Sequence, residues 1–310
     1  MINRNRLIKL TQSLIRIDSQ NPPGDEREIA LFVKDYFSKY GIRSKIYEFK
    51  RRRSNIVAVI KGKGSHSLLL TPHLDTVPSG GNWSFDPFCA KVGRGKIYGL
   101  GATDCKCNLA SIMEVMGGII EEKVVLPYSI IFAATADEES GSVLGLTPLL
   151  DKGILKPSAA LVLDADENQI ITTQKGLMHL KIKIKGKKAH GAYPDLGINA
   201  IDIAVKVISK IKTKKFSYHK NKYLKAPTVN IGTIKGGDKV NVVADWCEFE
   251  LDFRFLPGTD YRELLSSLQS TLRMHARQFN IEITGIQKPY YISEKHPLVK
   301  YLKMAFINVG

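Results

Sequence analysis

No stretch of this sequence approaches the roughly 18 consecutive apolar residues that span a bilayer. Its start, MINRNRLIKLTQSLIRID, lacks the apolar core of a signal peptide. The expectation is a cytoplasmic protein with no membrane partner. Cysteine is scarce. Cys89, Cys105, Cys107 and Cys247 form no C-x-x-C pair, and four in 310 residues make no disulfide scaffold. They read as free thiols. Acidic residues are in deficit, 30 against 46 Lys and Arg, for a net charge of +16. That excess is spread as single lysines, densest between Lys206 and Lys225. No nucleic-acid motif accompanies it and aromatics are sparse. It reads as a solvated face, and no nucleic-acid partner is expected. Internal repeats and low-complexity tracts are also absent.

What is present is ordinary globular patterning, long enough for two domains. Apolar residues recur at three and four over 3–17 and 25–40, predicting helices. Short β-rich runs follow, SKIYEF, NIVAVI and SLLLTPHL, then a helical CNLASIMEVMGGIIEE. YSIIFAATADEES and AALVLDAD are apolar strands ending in acids, with a helix, VLGLTPLLDKG, between them. Alternating helices and near-continuous apolar strands predict an α/β domain with a buried, mostly parallel central sheet.

The character changes after about Gly176. LMHLKIKIKG and WCEFELDFRF alternate strictly, as half-buried strands do. In the second, Phe249, Leu251, Phe253 and Phe255 share one face, and Glu248, Glu250, Asp252 and Arg254 the other. With helices near 195–212 and 259–277, the order β-α-β-β-α-β predicts an α+β sandwich with one open sheet face. We expect this domain over 177–286, inserted into a domain made of 1–176 and 287–310.

Three apolar strands of the first domain end in charged residues: His73 and Asp75; Asp137, Glu138 and Glu139; Asp164 and Asp166. A Gly-rich loop, YGLGATDCKCNLA, carries Asp104 just before a helix. Ligands of open α/β sheets bind beyond the carboxyl ends of the strands. Carboxylates converging there raise one another's pKa values. A divalent cation would remove the conflict, and one histidine with several carboxylates suits zinc, cobalt or manganese. Asp75 is placed to orient His73. Taken alone, H-x-D reads as a strand-end cap and turn; the acid-bearing segments together make the metal site.

These segments, with KKAHGAYPDLGINAI and IKGGDKVNVVADWCEFELDFRF, resemble the M20 metallopeptidases, a family that includes acetylornithine deacetylase, succinyl-diaminopimelate desuccinylase, aminoacylase-1 and carboxypeptidase G2. The resemblance covers nearly the whole chain. It implies a zinc-hydrolase catalytic domain with an inserted, ferredoxin-like lid or dimerisation domain, and a homodimer. It implies hydrolysis of amide bonds in N-acyl amino acids or small peptides by a two-zinc site. His73 and Asp164 would bind one zinc, Asp104 would bridge both, and Glu139 would bind the second. Glu138 would be the general base and Asp75 would steady His73. His190 would stabilise the oxyanion, and Asn241 and Arg254 would hold a substrate carboxylate, for which a planar guanidinium is suited. The polar-face position of Arg254 agrees with that role.

Some positions depart from the family pattern. Asp164 stands where many of the deacylases have Glu, and Asp166 competes with it. Cys107 stands where Gly is frequent. Thiolate ligation by Cys105 or Cys107 is conceivable, but small residues at a helix start are the reading adopted. Family members usually continue into a segment bearing the last histidine ligand of the second zinc. Of the late histidines here, neither His275 nor His296 has that segment's motif. The sequence is therefore read as C-terminally truncated, with one metal held firmly and the second weakly. The alternative function is an inactive remnant retaining one metal site and the dimerisation domain.

Overall fold

A computed structural model describes residues 2–164 and 169–309. The chain falls into two compact units, Met1–Asn168 and Gln169–Gly310. Residues 287–310, assigned above to the catalytic domain, fall in the second unit. No helix among the described residues is long and apolar enough to cross a membrane.

The first unit runs α1 (Arg4–Ile15), α2 (Arg27–Lys39), β1 (Ser44–Glu48), β2 (Ser54–Ile60), β3 (Ser67–Thr71), a small hairpin β4 (Lys91–Gly93) and β5 (Lys96–Tyr98), α3 (Cys107–Glu121), β6 (Ser129–Ala134), α4 (Leu146–Asp151) and β7 (Ala159–Val162). Its central sheet has the order β1-β2-β6-β3-β7. The expected parallel pairing holds for β6, β3 and β7, the strands that end in acids. On the other side β2 runs antiparallel to β6, and β1 antiparallel to β2. The sheet is therefore mixed.

Successive side chains of a strand point to opposite faces, and both faces of this sheet are covered. Ile56, Ala58 and Ile60 of β2 and Phe132 of β6 pack with Leu14, Val33, Phe37 and Met113 of the helices. Val57, Leu69 and Ala133 face the other way, against Leu149 and Leu155. Phe37 and Phe132 meet edge to face at 5.0 Å, both fully buried. Each buried ring contributes about 1.5–3 kcal/mol. Burial on both sides explains why β2 lacks the alternation of an exposed strand. α1 begins at Asn3, whose side chain accepts from the Arg6 amide. Arg6 then pairs with Glu114 and Glu121 of α3, which fixes α1 on that helix.

The second unit contains β8 (Thr173–Gln174), β9 (Gly176–Lys185), α5 (Ala200–Thr213), β10 (Thr228–Gly236), β11 (Trp246–Phe255), α6 (Tyr261–Arg273), β12 (Gln278–Gln287), β13 (Tyr290–Tyr291) and α7 (Pro297–Val309). Its four-stranded sheet, β10-β11-β9-β12, is antiparallel throughout. The alternation read from the sequence is realised: Phe249, Leu251, Phe253 and Phe255 are buried with Met178, Leu180, Ile182 and Ile184. On the open face Lys181 bridges Glu248 and Glu250.

The helix expected from 195 begins at Ala200. Pro194–Leu196 forms a separate short turn, and the Asn199 side chain caps the helix by accepting from the Ile201 and Asp202 amides. The stripe Ile201, Ala204, Ile208 and Ile211 packs on this unit's own core. The reason is the bare apolar face of the sheet beneath it, which α5 and α6 cover.

Candidate metal centre

The parallel strands carry their register past their formal ends. The Leu74 amide donates to the Thr135 carbonyl at 2.7 Å, and the Leu163 amide to the Thr71 carbonyl at 3.0 Å. His73 thereby lies beside Thr135, at the carboxyl end of a buried platform. This is the edge at which the sequence placed its acids.

The His73 ring is nearly fully buried and held from one side. Its Nδ1 lies 2.9 Å from the main-chain oxygen of Asp75. A carbonyl can only accept, so Nδ1 carries the hydrogen and Nε2 is left to face the other carboxylates. Nε2 lies 2.7 Å from Asp104 Oδ1 and 3.6 Å from Asp164 Oδ1. Burial disfavours the imidazolium, but the carboxylates of Asp104, Asp164 and Asp75 outweigh it and hold the His73 pKa well above its ordinary value.

Asp75 does more than steady the histidine. Its carboxylate accepts from the amides of Glu138 and Glu139 at 3.1 and 3.2 Å and from Asn21 Nδ2 at 2.9 Å. One residue thus orients His73 through its backbone and the Glu138–Glu139 turn through its side chain. That arrangement holds the Asp75 pKa below the usual range despite burial.

The turn begins at Asp137, in the left-handed region at φ 67°. This is an uncommon conformation for a residue with a side chain. Its carboxylate accepts from the Leu144 amide and from Arg53 Nη2, both at 3.0 Å. Arg53 also grips the buried Glu26 through Nε and Nη2 at 2.8 Å each. Sequence reasoning assigned no role to Arg53, Glu26 or Asn21. Arg53 stood in a run of three arginines and Asn21 in a proline turn, with no local signal to single them out. Lys106 was missed likewise. It is buried, its Nζ donates to the Ile17 carbonyl at 2.7 Å, and burial lowers its pKa to about 8.

Asp104 reaches His73 from the Gly-rich loop, with an extended backbone (φ −108°, ψ 97°) just before α3. Gly101 makes the approach possible at φ +70°, where a Cβ would meet Thr76 Cγ2 at 2.5 Å. Asp164 is tied in by its carbonyl, which accepts from Asn108 Nδ2 at 2.9 Å. Asp166 lies outside the described residues. Burial pushes Glu138 up to about 6, and Asp164, Glu139 and Asp75 add to that rise while His73 opposes it. Glu139 is raised too, first by burial and then by Asp104.

Potential ligand atoms of His73, Asp104 and Cys105 lie within 4.8 Å of one another, and so do those of His73, Glu138 and Glu139. Five carboxylates, those of Asp75, Asp104, Glu138, Glu139 and Asp164, around one imidazole leave a surplus of negative charge that a divalent cation fits. The thiols fit less well. Cys105 Sγ lies between the His73 amide and carbonyl, and burial raises its pKa, which keeps it protonated. Cys107 is raised by burial as well, and its thiol donates to the Thr103 carbonyl.

The remaining candidates belong to the second unit. His190 bridges to Val242, and the Gly191 amide donates to the Asn241 carbonyl at 2.8 Å, so the His190 and Asn241 loops adjoin. His190 Nδ1 accepts from the Ala192 amide at 3.1 Å. Arg254 sits at the other end of β11, eight residues beyond Trp246, or about 26 Å along a strand. Its Nε donates to Asp252 at 2.9 Å. Within one chain, Asn241 and Arg254 are not brought together.

The family model described as Peptidase dimerisation domain matches residues 172–280, and that described as Peptidase family M28 matches residues 55–175. Acetylornithine deacetylase of Vibrio atlanticus is 30% identical over 300 residues, covering 93% of this chain and 78% of that protein. An aminopeptidase of Bacillus cereus shares the fold at a TM-score of 0.81 and 23% identity, over all of this chain and 83% of the other. An M20 family metallo-carboxypeptidase of Sulfolobus solfataricus does so at 0.76 and 20%, over 95% and 81%.

Proposed function

The chain belongs to the M20 metallopeptidase family and is a metal-dependent hydrolase of amide bonds, and from that premise we propose that it cleaves N-acyl amino acids or small peptides whose leaving amine carries a free carboxylate. The observation that carries the reading is the double anchoring by Asp75. It leaves His73 Nε2 facing Asp104 and Asp164, and it sets Glu138 and Glu139 on a fixed turn beside them.

His73, Asp104 and Asp164 would hold one ion, and Asp104 and Glu139 a second, with zinc as the resident metal and cobalt or manganese as substitutes. Bound divalent cations polarise a carbonyl oxygen and make water acidic near neutral pH. Glu138 accepts the proton of the attacking water and returns it to the leaving nitrogen. It is free for this because its backbone amide, not its carboxylate, is what Asp75 binds. His190, next to Asn241, supplies a donor for the developing oxyanion, and Asn241 and Arg254 bind the carboxylate. Asn241 lies before the start of β11 and Arg254 near its far end, a separation that supports a homodimer in which the two ends of the strand serve different active sites. The four free thiols suit a reducing compartment such as the cytoplasm.

The test is hydrolysis of N-acetyl amino acids and of di- and tripeptides by the zinc-loaded protein. Glu138→Gln should keep the metal content and lose turnover at least 100-fold, on the scale of about 10²–10⁴ for a general base. A metal-loaded protein inert toward every substrate, or a Glu138→Gln variant with normal kcat, would overturn the proposal.

A further inference from the structure

A cavity of about 410 Å³ opens beside the metal centre, entirely within the first unit. Its walls include Val77, Trp83, Phe85 and Tyr98, and at one end it is bordered by Asp104 and Glu139. Trp83 meets Phe85 edge to face at 6.0 Å, and Phe85 meets Tyr98 in the same way at 5.9 Å. The Trp83 indole N–H donates to the Ser79 carbonyl at 2.7 Å, which fixes the ring. Yet Trp83 is 39% exposed and Val77 49%. The rings form an apolar wall that the rest of the unit covers only in part.

We propose that this cavity is the subsite for the acyl side of the scissile amide, and that it selects a bulky apolar acyl group. The inference rests on the amide-hydrolase reading above and names the substrate class for it. Two arguments carry it. The first is position. The leaving nitrogen must lie near Glu138, which protonates it. The cavity is bordered by Asp104 and Glu139, and Glu138 is not among its walls, so the acyl side of the carbon is the side assigned to it. The second is chemistry. The volume lies in the range of small-molecule sites, about 300–1,000 Å³, and an acetyl group would leave most of it empty. Among the described residues no Lys, Arg or His lines it, whereas two carboxylates do. An acyl group with its own carboxylate, such as succinyl, finds no counter-ion there. An aryl or branched alkyl group finds ring faces and edges, worth about 0.5–1.5 kcal/mol per aromatic pair beyond area burial.

The experiment uses the full zinc-loaded chain and three substrates sharing one amine: N-acetyl-, N-succinyl- and N-(3-phenylpropanoyl)-alanine. The expected kcat/KM for the phenylpropanoyl substrate exceeds that for acetyl by about tenfold or more, as hydrophobic pockets discriminate, and succinyl is the poorest. Trp83→Ala and Tyr98→Ala should each reduce the phenylpropanoyl-to-acetyl ratio several-fold, and the double variant should bring it near one. A preference for acetyl or succinyl, or a ratio unmoved by both variants, overturns the subsite.

A binding arm separates this from failure of the hydrolase reading. The chain has two tryptophans, so Trp246→Phe leaves Trp83 as the sole reporter. Saturable change of its emission by 3-phenylpropanoate, and not by acetate, supports the subsite even if no amide is turned over, in which case the hydrolase reading alone falls. Turnover of amides with no saturable change in Trp83 emission overturns the subsite alone.

Discussion

Replacing Arg53 by Met should destabilise the first unit by about 3–5 kcal/mol, the cost of removing one partner of a buried ion pair. The Arg53 side chain is 8% exposed, and the carboxylate of Glu26 is fully buried. Glu26 is gripped by Nε and Nη2 of Arg53, whereas Asp137 keeps the Leu144 amide at 3.0 Å if the arginine goes. The loss should therefore centre on Glu26 and fall toward the upper end of the range. It should also depend on pH. Burial already raises the Glu26 pKa above its ordinary value, against the opposing pull of Arg53. Without the guanidinium the folded-state pKa rises further. A carboxyl whose folded pKa exceeds its unfolded value binds more protons when folded, so stability falls as pH rises through that window. The deficit of Arg53→Met should be largest at pH 8 and shrink toward pH 5. Urea unfolding followed by Trp83 fluorescence, in a Trp246→Phe background, reports on the first unit alone. The double change Arg53→Met with Glu26→Leu should recover part of the loss, because removing both partners of a buried pair is often neutral. A deficit below about 1 kcal/mol at pH 8, or one equal at pH 5 and 8, would refute this account of the turn that carries Glu138 and Glu139.

Asp104→Ala should lower metal content more than any other single change at the centre, since Asp104 is the carboxylate proposed to serve both ions; full occupancy by elemental analysis would contradict that. Phe253→Ala, which empties a fully buried ring site and loses the edge-to-face contact with Phe216 at 4.7 Å, should cost about 3–5 kcal/mol, read by thermal unfolding of the second unit. Sedimentation at micromolar concentration should show a homodimer, and a monomer alone would count against the proposed assembly. Chelation should abolish amide hydrolysis, with zinc or cobalt restoring it; turnover that survives removal of metal verified by analysis would refute the metal dependence.

Much of the scaffold is legible because its causes are local. The period of two in WCEFELDFRF specifies which side chains of β11 are buried, since neighbouring residues of a strand must face opposite ways. Asn3 and Asp260 mark helix starts because their side chains accept orphan backbone amides within a few residues, and Asn199 does the same for α5, a start the sequence reading places near 195. The mixed pairing of the first sheet is not legible in the same way. β2 is buried on both faces, so its apolar run carries no sign of strand direction. The α5 stripe showed that the helix has an apolar side, but not whether a partner or its own sheet would cover it.

At the candidate centre, the residue types were readable and their arrangement was not. His73, Glu138, Glu139 and Asp164 announce themselves as acids and a histidine at strand ends, and Asp104 as an acid in a Gly-rich loop before a helix, because a charged group there is costly unless something binds it. The sequence by itself therefore determined that a histidine and several acids gather at the carboxyl edge of the sheet, and the alternation that builds the second unit. Only the tertiary structure decided what holds the site in place. Asp75 binds amides 63 and 64 residues away, Asn21 reaches it across 54, and Arg53 spans 84 to Asp137. Such contacts leave no periodicity or spacing in the chain. They exist because a buried charge must find a partner wherever packing brings one, and which partner arrives depends on the fold as a whole.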